Sequence, residues 1–593
     1  MITDNFQVIA DQGRIVFGIL LLIVLSQTLI TKVLRIIFGD QLTTTEYIFL
    51  GMAGWILPAS LLSMLWIYTG FGILIVLLII PFLPRLQLDP STLPSVAGQR
   101  LEPASKKIAF SLLTILSLSI LLRLVFVSQA LLPPYFDSAQ HYLLIKQFMG
   151  NDATESFTPT RYYHTGFHIL TAFITSTFNG NIARTMLIIG QMILAVMPIS
   201  LYFPIKHETK SNAAGIFAVI LSACGWYMPA HAVNWGKYPA LMSLGLIPFV
   251  LSLAYLLARN KNVLPSNKLR ILYVMLAISI LVTVLAHSRA LVIFGIAFLA
   301  WIISAWRQRF SQWQRSLIFI GVVIVVVLEI VFIQRQTIFA PLFDPYLRTG
   351  VWITALVFFL SIFAHKVYPQ AAFACIVAIC LLLVSLFIPV TGFIPGYGDL
   401  TLLDRPFVEM TLFLPLSLLG GLGLAGLEKS LRHAQIKRVS QNGVVVIFAG
   451  AFIVVNAFST ITLHPSACCV IAGNDDVAAI DWMDTHLPSD ARIGISTTAL
   501  KVFASESFEG YAGGDAGTWI TPLTGRVTVP LLHDLDFNRQ AVLDLLCQTD
   551  VSHLYVGEIG QTFDHARLSN RPEWYKLILS MPRVKVYEVV RCK

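Results

Sequence analysis

"PPYFDSAQHYLLIKQF", residues 133–148, sets Asp137 and His141 four positions apart, so a helix would put both on one face. Downstream, "RYYHTGFH" adds Tyr162, Tyr163, His164 and His168. Cations follow at Lys237 in "NWGKYP", Arg289 in "HSRAL" and Arg405 in "DRPFVEM". An ionised carboxylate can take a proton from an attacking hydroxyl. Lysine and arginine can hold a phosphate as charge grows on it. A histidine can orient the carboxylate or donate to an anion, and Tyr162, Tyr163, Trp235 and Tyr238 offer flat faces for stacking. The His164-x-x-x-His168 spacing, with His141 and Asp137, is also that of a divalent metal site.

Each residue has a plainer use. Asp137-x-x-Gln140 fits a capping box with Asp137 as N-cap, which would occupy the carboxylate and make it a poorer base. His141 would then be a surface histidine on a helix face. Lys237 can snorkel to lipid headgroups, and Arg405 can pair with Asp404 or Glu409. The tyrosines and Trp235 also suit an interfacial aromatic belt.

The elements that must position these groups are those of a membrane protein. The chain has 593 residues, 56% hydrophobic and only 12% charged, about half the charge of a soluble domain. Apolar runs near the ~20 residues needed to span a bilayer recur at 13–34, 46–66, 69–84, 108–129, 182–205, 212–230, 238–258, 271–287, 289–306, 316–334, 350–364, 370–388, 410–427 and 442–462. The fold class expected is a polytopic α-helical membrane protein of about 14 transmembrane helices. The first run lacks the basic start and small-residue cleavage site of a signal peptide.

Net charge is +9, but the excess is local: residues 470–593 carry 11 Lys/Arg against 16 Asp/Glu, and residues 1–469 carry 30 against 16. It is no sign of nucleic-acid binding. The basic clusters at Lys32/Arg35, Arg85–Lys107, Lys206/Lys210, Arg259–Arg270, Arg307–Arg315 and Lys429–Arg438 all fall on one side of the spans. The positive-inside rule makes that side cytoplasmic. The loop 130–181, the turn 287–291, the loop 389–409 and everything after 463 then face outward. Within the first outer loop, short helices are predicted at about 138–149 and 164–178, the second lying along the outer surface.

The chain divides into a transmembrane part, 1–465, and a C-terminal extracytoplasmic α/β domain, 466–593, with helices predicted at "DDVAAIDWMDTH" and "RQAVLDLLCQ" and strands at "VSHLYVG" and "RVKVYEVV". There, Asp515 and Arg526 in "GGDAGTWITPLTGR" have turn chemistry and surface charge as their default, with acceptor binding as the functional alternative. Seven cysteines show no metal-ligand spacing. Cys224, Cys375 and Cys380 sit in or beside spans, and among Cys468, Cys469, Cys547 and Cys592 one disulfide is plausible in an oxidising compartment. No Walker-type loop or dinucleotide fingerprint supports a cytoplasmic nucleotide-sugar mechanism.

An aspartate in the first long outer loop, "YYHTGFH" leading into a short helix, and a span opening "NIARTMLIIGQ" resemble the GT-C superfamily of integral membrane glycosyltransferases. "DRPFVEMTLFLPLSLLGGLGLAGL", "AAIDWMDTHLPSDARI" and "GTWITPLTGR" are similar to segments of bacterial and archaeal members with a trailing soluble domain. The three runs before residue 85 precede the family's first helix, which corresponds here to 108–129. Ser138 stands where a second acidic residue would mark the metal-dependent oligosaccharyltransferases.

The resemblance implies a GT-C-like multi-pass enzyme of the plasma or inner membrane. It implies transfer of a sugar from a polyprenyl-phosphate carrier to a glycan, lipid or protein hydroxyl on the outer face, as in glycan biosynthesis of the cell envelope. Asp137 would be the general base, acting with inversion, and His141, Tyr163, His164, His168, Lys237, Arg289 and Arg405 the substrate or donor contacts. No metal ligand is assigned and no cofactor beyond the lipid-linked substrate is required, a divalent metal being the alternative. The competing class is a multi-pass transporter or flippase. Against it, the runs show no repeat, and the ionisable residues sit at outer mouths rather than mid-membrane.

Overall fold

The computed structural model describes residues 2–69, 103–150, 164–390, 401–433, 444–500 and 510–592. Among them, nine helices are long and apolar enough to cross a membrane, from Asp11–Phe38 to Arg405–Leu431. Two bent pairs raise the number to eleven if each is one span: Thr44–Ala53 with Ile56–Ile67 at 45°, and Ala340–Arg348 with Val351–Val367 at 82°. The shortfall from about fourteen has separate causes. The runs at 46–66 and 350–364 belong to the bent pairs. Shorter helices, Pro369–Val384 and Val444–Thr460, stand over 370–388 and 442–462. The run at 69–84 lies almost wholly outside the described residues.

The bundle is close-packed at its centre. Ile182–Thr209 is buried along its whole apolar window, whereas Gln312–Arg335 shows nearly all of its surface. The helices before residue 70 are integral: Lys206 Nζ pairs with Glu46 Oε1 at 2.5 Å, and Glu46 closes a capping box on Thr43.

Both helices expected in the loop 130–181 exist, as Phe136–Phe148 and Gly166–Thr177. The second does not lie along a surface, because Phe167, His168, Leu170, Thr171, Ala172, Phe173 and Ile174 are all buried. It is a wedge between the Asp137 helix and the spanning helices. "NIARTM" positions this region. Asn181 caps the following helix, accepting from Arg184 N at 3.2 Å. The Arg184 guanidinium donates to Val127 O at 3.1 Å and Ala130 O at 2.5 Å. These carbonyls end the helix that feeds the loop, so an arginine tidies a helix terminus.

After Thr460 the chain forms a six-stranded mixed sheet with flanking helices. β1 (Arg492–Leu500) pairs parallel with β3 (Val527–Leu532) and β4 (His553–Val556), and antiparallel with β2 (Gly510–Gly513). β6 (Lys585–Val589) joins β4 and β5 (Tyr575–Ser580) antiparallel. Asp515 and Arg526 are not surface charges: they are 0% and 6% exposed. Asp515 accepts from Gly517 N at 2.9 Å and Gly557 N at 3.2 Å, while burial pushes its carboxyl up to about 7. Arg526 binds the Asp484 carboxylate at 2.7 Å and the carbonyls of Asp484, Leu487 and Pro488. Both are builders of the fold. Two disulfides occur where one was expected, Cys468–Cys469 and Cys547–Cys592.

The turn between Asp515 and Arg526 docks on the Asp137 helix. Trp519, fully buried, meets Tyr142 edge-on at 5.8 Å between ring centroids, and Lys146 Nζ donates to Pro522 O at 3.3 Å. The C-terminal domain therefore holds the helix that carries Asp137 and His141.

Candidate functional site

Asp137 lies in the first turn of Phe136–Phe148 and does not cap it. The N-cap is Tyr135, in an extended-to-left-handed conformation (φ 68°, ψ 151°) with no side-chain capping bond. The capping-box reading fails because the helix begins two residues early, at Phe136. The Asp137 carboxylate instead faces Lys237, with Nζ–Oδ2 at 2.6 Å. Lys237 precedes the helix Tyr238–Asn260 and is brought there by Gly236, whose φ is +64°. A Cβ on Gly236 would stand 2.7 Å from Ser138 Oγ and 3.1 Å from Ser138 N. Gly236→Ala is thus expected to cost more than about 1 kcal/mol, read as a lower thermal unfolding temperature, and to move Lys237 off Asp137.

Burial alone would lower the Lys237 ammonium, but the charge of Asp137 and its hydrogen bond outweigh it and hold the pKa above the ordinary value. Asp404 acts on Lys237 in the same sense. Asp404 itself N-caps Arg405–Thr411, accepting from Phe407 N at 2.9 Å, and forms an ion pair with Arg289. This is the local logic of "DRPF": aspartate caps, and proline sits in the first turn. Arg405 donates to Ile338 O at 3.0 Å and lies 4.0 Å from Glu409. Of the two structural partners offered for Arg405, Glu409 is the one it meets, while Asp404 pairs with Arg289. One face thus gathers Asp137, Lys237, Asp404, Arg289 and Arg405 from four distant segments.

Behind the carboxylate is a histidine layer. His141 Nδ1 and His168 Nε2 are 2.9 Å apart, with His141 4% and His168 0% exposed. His141 is no surface histidine. His164 stacks near His287 at 4.2 Å between centroids, and His287 meets Phe407 at 4.9 Å. His141 thus neighbours His168 and His164 neighbours His287, and His141 and His164 both act electrostatically on His168. Tyr163 and Tyr162 lie outside the described residues. Tyr238 is fully buried and stacked on Phe167 at 5.5 Å. It has no face for a sugar or an interfacial belt. Trp235 packs edge-on against His231.

Burial lowers His141 to about 4 and His164 to about 3, the latter reinforced by the charges of His141 and Arg289. It drives His168 well below its ordinary value too. At neutral pH these rings are therefore uncharged and can only donate or accept hydrogen bonds. The linkage has a definite sign. With the folded pKa depressed, the full contribution to stability is present above about 6.5. It is lost as pH falls toward 4, where the unfolded chain binds protons the folded one refuses. Thermal unfolding is expected to soften over that window, and less so in His168→Asn.

Sequence reading passed over His287, Asp404 as the Arg289 partner, and Tyr135. His287 was visible inside "HSRAL", two residues from Arg289. Nothing in the sequence places it beside His164. The arrangement offers an ionised carboxylate with a lysine that can leave it for a stronger anion, two arginines nearby, and neutral imidazoles.

The family described as "Family of unknown function (DUF6541)" matches residues 47–391. No curated protein matches the chain. A crystal structure of the Archaeoglobus fulgidus oligosaccharyltransferase, in complex with zinc and sulfate, is similar at 11% identity and a TM-score of 0.41, over 80% of this chain and 72% of that one.

Proposed function

The chain belongs to the DUF6541 family, and for it we propose the transfer of a sugar from a polyprenyl-phosphate carrier to an acceptor hydroxyl on the outer face of a cell membrane. The Asp137–Lys237 pair is the observation that carries this reading. The acceptor oxygen attacks the anomeric carbon from the side opposite the phosphate and gives its proton to Asp137. The bond from carbon to phosphate oxygen breaks with its electron pair on the phosphate, and the anomeric configuration inverts. Lys237 is held by Asp137 until the donor arrives. The phosphate then competes for the ammonium, which frees the carboxylate as charge appears where Lys237, Arg289 and Arg405 can meet it. His141 and His168 fix the helix face that carries Asp137. His164 lies against His287, within the reach of Arg289's charge, and serves as a neutral donor to the substrate.

The outward placement of residues 466–593 is part of the proposal. Support comes from the basic clusters confined to the other side of the spans, and from the two disulfides, which suit an oxidising compartment. A metal is not required by this scheme.

The test is incubation of the purified protein with a panel of labelled polyprenyl-phosphate sugars and hydroxyl acceptors. Label moving to acceptor, with release of free polyprenyl phosphate in equal amount, is the expected result. Intact donors across the panel would count against the proposal.

A further inference from the structure

Three side chains that the proposed transfer does not use meet where the helical part hands over to the C-terminal domain. Cys468 and Cys469 are adjacent and joined as a disulfide. His231 lies on the short 3-10 helix Ala230–Trp235, more than 230 residues away in sequence. One ligand atom from each of the three falls within 4.8 Å of the others, the only such group among the described residues. His231 and Cys469 are buried and Cys468 is exposed, so the cluster is backed by protein and open on one side.

The setting is that of a held ligand set. The Tyr227 hydroxyl lies 2.6 Å from His231 Nδ1 and the Asn234 amide nitrogen 3.2 Å. These contacts on Nδ1 fix the plane of the ring. The cysteine turn is fastened by its backbone as well. Ser466 N donates to Asn234 Oδ1 at 2.7 Å, Cys469 N to Ser466 O at 2.9 Å, and Tyr135 N to Cys469 O at 2.9 Å. These bonds do not depend on the two sulfurs being joined. Ligands of a tetrahedral ion with bonds of about 2.0–2.3 Å stand roughly 3.3–3.8 Å apart, inside the 4.8 Å that bounds these three ligand atoms.

We infer that Cys468, Cys469 and His231, once the disulfide is reduced, bind one thiophilic transition-metal ion of the zinc or copper(I) class. A dithiol reductant supplies two electrons and two protons to the sulfurs and becomes a disulfide itself. The ion then replaces the two thiol protons, which pass to solvent, and the neutral imidazole gives a third ligand. Two thiolates and an imidazole favour a soft or borderline ion over magnesium or calcium. Reforming the disulfide removes both thiolates and releases the ion. The site adjoins the proposed transfer machinery through the Tyr135–Cys469 backbone bond and through the 3-10 helix of His231, to which Lys237 N bonds at Ala232 O, but metal binding stands independently of that function.

Cadmium is the probe, because cadmium–thiolate bonds absorb in the ultraviolet. Full-length protein is reduced with a non-chelating phosphine, cleared of reductant without oxygen, and titrated with Cd2+. Wild type is expected to take up one ion more per chain than Cys468→Ser, with a charge-transfer band that both Cys468→Ser and Cys469→Ser lack. Without reduction the band is absent, and in His231→Ala the affinity falls at least tenfold. Cys468 is exposed, so its serine variant should unfold at the temperature of the reduced, metal-free wild type, which separates lost ligation from lost folding. Equal uptake by wild type and Cys468→Ser overturns the site, and so does undiminished affinity in His231→Ala. Thiols of Cys547 and Cys592 would bind alike in both proteins and cancel in the difference.

Discussion

Asp137→Asn is expected to lower transfer by about 10²–10⁴-fold, the range a positioned general base contributes, while leaving thermal unfolding nearly unchanged. Asparagine keeps the shape and can still accept a hydrogen bond from Lys237 through its carbonyl, but it cannot take the acceptor's proton. The structural alternative makes a different forecast. Had Asp137 been the N-cap, its loss would cost helix stability and spare turnover. The cap position belongs to Tyr135, so the stability effect should be small. The two measurements are made on the same preparation: initial rate of label transfer, and unfolding temperature with the pair intact and replaced.

Lys237→Met carries the second large effect, about 10²–10³-fold in kcat/KM, the scale for removing one donor from a developing anion. Methionine fills much of the volume of the lysine stem, so packing is largely retained. What disappears is the charge that faces Asp137 at 2.6 Å and, in the proposed scheme, the leaving phosphate. If Lys237 only snorkelled to headgroups, the variant would transfer like wild type. The handover also predicts asymmetry. Inorganic phosphate or pyrophosphate should inhibit wild type by competing for Lys237, and inhibit Lys237→Met much less. Arg289→Lys is the useful companion, since it keeps a cation opposite Asp404 while losing the planar fork that holds carboxylate or phosphate through two bonds.

The parts legible in the sequence were those set by local periodicity and by charge. The helices at 136–148 and 166–177 follow from apolar spacing bounded by Pro133-Pro134 and Gly150, and the structure places them within a few residues of expectation. The cations Lys237, Arg289 and Arg405 stood out because charge beside an apolar run is costly unless it serves something. Their partners did not stand out. Lys237 meets a carboxylate 100 positions away and Arg289 one 115 positions away, and no local pattern encodes such pairings. The misassigned cap has the same origin. Asp137-x-x-Gln140 satisfies the capping-box pattern, yet Tyr135, at positive φ with its N–H on Cys469 O, caps the helix two residues sooner. For Asp515 and Arg526 the expected turn chemistry holds, with Asp515 capping Ala516–Trp519, but surface charge does not, because sequence offers no sign of burial. Both prove to hold the turn that seats Trp519 against Tyr142.

The central claim is that a lipid-linked sugar is handed to an acceptor at the Asp137–Lys237 face. Proteoliposomes holding the protein and a doubly labelled polyprenyl-phosphate sugar, one label on the sugar and one on the lipid, test it most directly when acceptor is supplied from the side of the C-terminal domain. The account predicts that the labels part: sugar appears on the acceptor, polyprenyl phosphate stays in the membrane, and Asp137→Asn halts the separation. Both labels crossing the bilayer together, with no covalent product and equally well in Asp137→Asn, would contradict it and make the protein a carrier of its lipid rather than an enzyme acting on it.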